Sequence, residues 1–87
     1  MPDKPKLTVL GAGSWGTALA ALGARNGVPT RLWGRDADAL AQMAQQRSNA
    51  RYLPGVTMPE ALGYEADLGA AVRGADIVLI VVPSHAF

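Results

Sequence analysis

Gly11, Gly13 and Gly16 lie in the stretch LGAGSWGTALA at the spacing G-x-G-x-x-G. Glycines so spaced suit the holding of a phosphate group by backbone rather than by side chain. Gly11 permits a sharp turn out of a strand. Gly13 lacks a Cβ, so a pyrophosphate can approach the main chain, and Gly16 lets the following helix pack close to a sheet. N–H groups near Ser14 and Trp15 then point outward at a helix N-terminus, where the dipole favours an anion. The Ser14 hydroxyl is placed to add a hydrogen bond. The alternative is a tight turn that binds nothing, and the spacing gains meaning only between a strand and a helix with a second strand close behind.

The flanking sequence supplies that context. Leu7-Thr8-Val9-Leu10 reads as a buried strand ending at Gly11. Residues 14–26 read as a helix with Trp15, Ala18, Leu19 and Leu22 on its inner face. On this reading the Trp15 ring packs against the sheet or a later segment, and only its backbone N–H meets the ligand. Asn26-Gly27 stops the helix, and Thr30-Arg31-Leu32-Trp33 forms a second strand. Asp36 caps a second helix whose inner face is Leu40, Met43 and Ala44. Residues 48–59 contain Pro54, Gly55 and Pro59 without a period and read as a loop, with Tyr52 and Leu53 packed. Residues 62–65 read as a short third strand. Asp67 caps a third helix with Leu68, Ala71, Val72 and Ala75 facing inward. The run Ile77-Val78-Leu79-Ile80-Val81-Val82, ended by Pro83, reads as a strand of a kind normally covered on both faces. This β-α-β-α-(β)-α-β order implies an α/β fold: a Rossmann-like doubly wound parallel sheet, truncated after about four strands.

Composition narrows the partners. The chain has 87 residues, 49% of them hydrophobic, and a net charge of +1, which suits one small globular domain. It has no basic block for a nucleic-acid backbone. The cluster Asp3-Lys4-Pro5-Lys6 reads as a frayed, solvated terminus. With no cysteine and a single histidine, His85, a disulfide scaffold is excluded and a metal site disfavoured. No apolar run approaches the roughly 20 residues that span a bilayer. A cytoplasmic protein without membrane insertion is expected.

The end of the second strand bears on which dinucleotide would bind. An Asp or Glu there bonds the ribose 2′-OH of NAD. This chain has Trp33-Gly34-Arg35 instead. A guanidinium binds a 2′-phosphate with charge-assisted hydrogen bonds, so Arg35 favours NADP(H) over NAD(H); the alternative is a solvated arginine before a helix. Asp36 reads as a helix cap first and a ribose ligand second.

The stretches GAGSWGTALA, RNG, LWGR, NARYLPG and VVPSH, in this order, resemble the N-terminal domain of bacterial-type NAD(P)-dependent glycerol-3-phosphate dehydrogenases, from about Leu7 to the end of the chain. The resemblance implies an enzyme that interconverts dihydroxyacetone phosphate and sn-glycerol 3-phosphate for glycerophospholipid synthesis in the cytoplasm. It carries cofactor contacts onto Ser14, Trp15 and Arg35 beside the glycine turn, and places Pro83 and Ser84 near the nicotinamide. It implies that residues 1–87 are a single dinucleotide-binding domain, with the helical substrate domain that binds the phosphorylated substrate absent. The family's catalytic lysine would also lie outside, since the only lysines are Lys4 and Lys6. No catalytic residue is assigned; His85 reads as solvated or packed rather than as a proton donor, and no dehydrogenase activity of the chain alone is expected. The run Ile77 to Val82 would be an apolar sheet edge, which predicts self-association. The competing readings are a non-catalytic dinucleotide-binding module and the corresponding domain of another NAD(P)-dependent oxidoreductase. The residues of NARYLPG, Asn49 among them, have no mechanism at this level and read as a packed loop.

Overall fold

The computed structural model describes residues 4–49 and 53–81, with the side chains of all but Leu53 and Pro54. A four-stranded parallel sheet forms from β1 (Leu7–Leu10), β2 (Thr30–Trp33), β5 (Gly63–Glu65) and β6 (Ile77–Ile80), in the order β5-β2-β1-β6. Helices α1 (Ser14–Arg25), α2 (Ala37–Gln46) and α3 (Leu68–Val72) connect them. Successive residues of a strand face opposite sides. Val9 faces α1, because a Cβ at Gly16 would stand 3.6 Å from Val9 Cγ1. Thr8 faces α3, donating its hydroxyl to the Ala71 carbonyl at 2.6 Å. The sheet is thus wound on both faces, as its β-α alternation predicts. Val9 and Leu32 are fully buried at the centre of a core that includes Ala20, Leu40, Met43 and Met58.

The helix caps agree with the sequence reading. Asp36 accepts from Ala39 N at 3.0 Å and Asp67 from Ala70 N at 2.8 Å, each satisfying a first-turn N–H that the helix leaves unpaired. The buried faces differ from those expected. On α1 the buried residues are Gly16, Thr17, Ala20, Ala21 and Ala24, while Trp15 and Leu22 are 75% and 56% exposed. The helix lies so close to β1 and β2 that only small side chains fit between; a Cβ at Gly23 would stand 2.9 Å from Thr30 Oγ1 and 3.2 Å from Leu7 Cδ2. On α2, Leu40 and Met43 are buried but Ala44 is exposed. Helix α3 ends before Ala75, where Gly74 takes φ +77, and of its apolar residues Ala71 is buried while Leu68 and Val72 are exposed. All four residues of β6 are exposed, so this edge strand is uncovered among the described residues.

Two further expectations are corrected. Residues 48–59 are not simply a loop: β3 (Ser48–Asn49) pairs antiparallel with β4 (Leu53–Thr57). Pro54 and Gly55 sit inside β4, with Gly55 at φ +80; in a two-stranded sheet β4 is an edge strand, where proline is tolerated. Arg47 at φ 53 ends α2 and turns the chain into β3, and Met58 N closes back onto Arg47 O at 2.6 Å. Nor is the N-terminal tail merely solvated. Lys4 Nζ donates to the Asn26 carbonyl at the end of α1 (2.7 Å), and Lys6 N donates to Asp76 Oδ2 (2.8 Å).

Tyr64, in β5, packs against the core with its hydroxyl buried and, among the described residues, without a hydrogen-bond partner. A buried hydroxyl left unpaired costs about 1–3 kcal/mol. Tyr64→Phe is therefore expected to stabilise the chain by up to about 1 kcal/mol, a rise of roughly 4–8 °C in the thermal midpoint. Burial also raises the Tyr64 pKa above 10.0, a trend the Arg47 charge opposes. The unfolded tyrosine then ionises first, so stability falls as the pH climbs past 10.0. The phenylalanine variant should lack that part of the alkaline loss in a series of melts.

Candidate functional site

The glycine turn lies at the carboxyl edge of the sheet, the side where open α/β sheets bind ligands. Leu10 is in register with Trp33 on one side and Ile80 on the other. Just beyond it, Gly11 N donates to Trp33 O and Val81 N to Leu10 O, both at 2.8 Å. Gly11 takes φ +123, and a Cβ there would fall on the Val81 carbonyl oxygen. A Cβ at Gly16 would likewise fall on the Gly11 carbonyl oxygen. Both glycines are demanded by the fold itself.

Gly13 is different. Its φ of −77° is open to any residue, and a Cβ built on it meets nothing within 4 Å among the described residues. Neither strain nor packing among the described residues calls for a glycine here. Gly13 is also the N-cap of α1, so the helix opens without a capping side chain. The first intrahelical bond runs from Thr17 N to Gly13 O at 3.0 Å. The N–H groups ahead of it sit at the positive end of the helix dipole. Ser14 and Trp15 form this first exposed turn, with the Trp15 ring turned to solvent rather than packed.

Arg35 leaves the same edge. Gly34, immediately before it, packs against the glycine turn so closely that a Cβ there would stand 2.9 Å from Ala12 Cβ. Arg35 is exposed, and the Asp36 carboxylate beside it is occupied as the cap of α2. The structure thus brings Gly11, Gly13, Ser14, Trp15, Gly16 and Arg35 to one edge of the sheet. Pro83, Ser84 and His85 lie outside the described residues, as does Tyr52.

Sequence reasoning assigned no role to Asn49, which is 6% exposed and donates to Ala12 O (3.0 Å) and Thr17 Oγ1 (2.8 Å). No local sequence signal marks it, because both partners are distant in the chain. A cavity of about 210 Å³ at the opposite, amino ends of the strands is lined in part by Lys6, Thr8, Arg31 and Gly63. Two of its polar groups are engaged: Thr8 Oγ1 and Arg31 Nη1 both donate to carbonyls of α3. Among the described residues no helix is long and apolar enough to cross a membrane.

Residues 6–87 match the family model described as "NAD-dependent glycerol-3-phosphate dehydrogenase N-terminus". A glycerol-3-phosphate dehydrogenase [NAD(P)+] of Xanthomonas euvesicatoria is 60% identical over 82 residues, covering 94% of this chain and 24% of the relative. One from Stenotrophomonas maltophilia is 57% identical over the same length and coverage. The chain therefore spans about a quarter of the length of the curated relatives it matches. Among solved structures, the glycerol-3-phosphate dehydrogenase of Coxiella burnetii superposes with a TM-score of 0.86 at 47% identity, over 95% of this chain and 26% of that one. The yeast enzyme gives 0.83 at 29% identity, over 95% and 27%.

Proposed function

The chain belongs to the NAD-dependent glycerol-3-phosphate dehydrogenase N-terminus family, and from that premise we propose that its glycine turn holds the pyrophosphate of NAD(P)H for a glycerol-3-phosphate dehydrogenase. Gly13 carries this reading. A glycine that neither backbone conformation nor neighbouring atoms of the described residues demand is explained by a close approach from outside. The N-terminus of α1, whose N-cap Gly13 has no side chain, adds its N–H groups and dipole where the anion would lie. The ligand contacts are assigned to Gly11, Gly13, Ser14, Trp15, Gly16 and Arg35, with the Trp15 contribution made by its backbone. Pro83 completes the proposed set near the nicotinamide.

The bound dinucleotide supplies the hydride; this chain's residues bind and orient it. The proton that the forming alkoxide takes up needs a separate donor, and none is assigned to this chain, so it is proposed to bind without turning over. Cytoplasmic location and a place in phospholipid synthesis go with the proposed activity. Calorimetric titration with NADPH and NADH tests the reading; saturable one-to-one binding is expected, and a folded chain that binds neither would refute it.

The uncovered β6 is proposed to make the chain self-associate, since an exposed apolar edge offers unpaired backbone groups to a second strand. Sedimentation should show mass rising with concentration, and Val78→Lys should suppress it. A monomer at every concentration would remove this proposal.

A further inference from the structure

The β3–β4 hairpin is tied to the glycine turn through one buried side chain. Asn49 uses its amide group twice, toward Ala12 O at 3.0 Å and Thr17 Oγ1 at 2.8 Å. Thr17, fully buried, donates its hydroxyl to the same Ala12 carbonyl at 3.2 Å. A carbonyl only accepts, so the Asn49 atom facing Ala12 is the amide nitrogen. Two donors thus hold one carbonyl of the turn toward the interior. The peptide joining Ala12 to Gly13 is planar and trans, with its C=O and N–H pointing in opposite directions. Fixing the Ala12 oxygen toward Asn49 therefore fixes the Gly13 N–H away from it, on the outer side of the turn.

We propose that Asn49 is a positioning residue of the dinucleotide site: it locks the Ala12–Gly13 peptide with the Gly13 N–H turned out toward the pyrophosphate. This rests on the dinucleotide reading given above and adds the hairpin to the site. The hairpin is itself well anchored for the task. Met58, just after β4, is 1% exposed, and Arg25 Nη2 of α1 donates to Thr57 O at 3.2 Å. Without Asn49 the peptide can rotate, and its carbonyl would then face the anion and repel it.

Asn49→Asp keeps the shape and removes the donors, since an ionised carboxylate only accepts. At pH 8 this variant is expected to lose about 10-fold or more in NADPH affinity, the worth of one hydrogen bond to a charged group. Its affinity for 2′-AMP, which carries the phosphate assigned to Arg35 but no pyrophosphate, should stay within about 2-fold of the parent chain. Far-UV circular dichroism checks that the variant is folded. A folded variant that binds NADPH as tightly as the parent overturns the proposal. A measurement on the unmodified chain tests it even if the variant does not fold. Inorganic pyrophosphate should shift the Gly13 amide in a nitrogen–proton correlation spectrum. Shifts at Trp15 and Gly16 with Gly13 unmoved would overturn the role of Asn49 alone. If no amide of the turn responds to pyrophosphate or NADPH, the dinucleotide reading fails with it.

Discussion

Gly16→Ala should unfold this chain or drive α1 off the sheet, while Gly13→Ala, three residues away, should leave the fold intact and abolish cofactor binding. At Gly16 the new methyl would occupy the space of the Gly11 carbonyl oxygen, a main-chain atom that no rotamer change can move aside. Helix α1 has no slack to yield, because Ala20, Ala21 and Ala24 are already buried against the sheet. Overpacking of a core costs about 1–3 kcal/mol where side chains can adjust. Against fixed backbone the upper end or beyond is expected, a large part of the roughly 5–15 kcal/mol that holds a small domain together. The thermal midpoint should fall by at least about 12 °C, or the transition vanish. At Gly13 the same methyl meets none of the described residues, at a φ of −77°. Stability should change by less than about 1 kcal/mol. Titration of that folded variant with NADPH is the decisive measurement. Undiminished binding would mean that Gly13 leaves room for nothing, and that the turn is only a turn.

The second large effect concerns the choice of dinucleotide. The chain should prefer NADPH to NADH by about 10- to 150-fold, the range of a charge-assisted hydrogen bond of about 1.5–3 kcal/mol. Arg35→Ala should bring the two affinities together by weakening NADPH alone. Arg35→Asp should invert the preference, since a carboxylate repels a 2′-phosphate and can accept from a 2′-OH. Raising the salt concentration should narrow the gap in the parent chain, because Arg35 is exposed and its charge is screened. An equal loss of both cofactors in Arg35→Ala would mean that the guanidinium meets some other part of the ligand.

What could be read ahead of the structure was local. The caps Asp36 and Asp67 each bond an N–H three residues on, so residue type and position suffice to find them. The strand Leu7–Leu10 and the turn after it follow from an apolar run meeting glycine. The inner face of α1 differs from the periodic one because hydrophobic periodicity selects large residues, whereas the close approach at Gly16 and Gly23 admits only small ones. Strand β3 has two residues, too few for any period to show. Asn49 meets partners 37 and 32 positions back in the chain, and no local pattern encodes a pairing of that range.

The sheet order has a consequence in time. Strand β1 is made first but lies inside the sheet, between β2, which begins at Thr30, and β6, which begins at Ile77. A ribosome adding roughly 5–20 residues per second needs several seconds to pass from one partner to the other. For that interval the nascent sheet exposes an apolar central strand with one side unpaired. Chaperone contact during synthesis is therefore expected to concentrate on Leu7–Leu10 and to end as β6 leaves the exit tunnel.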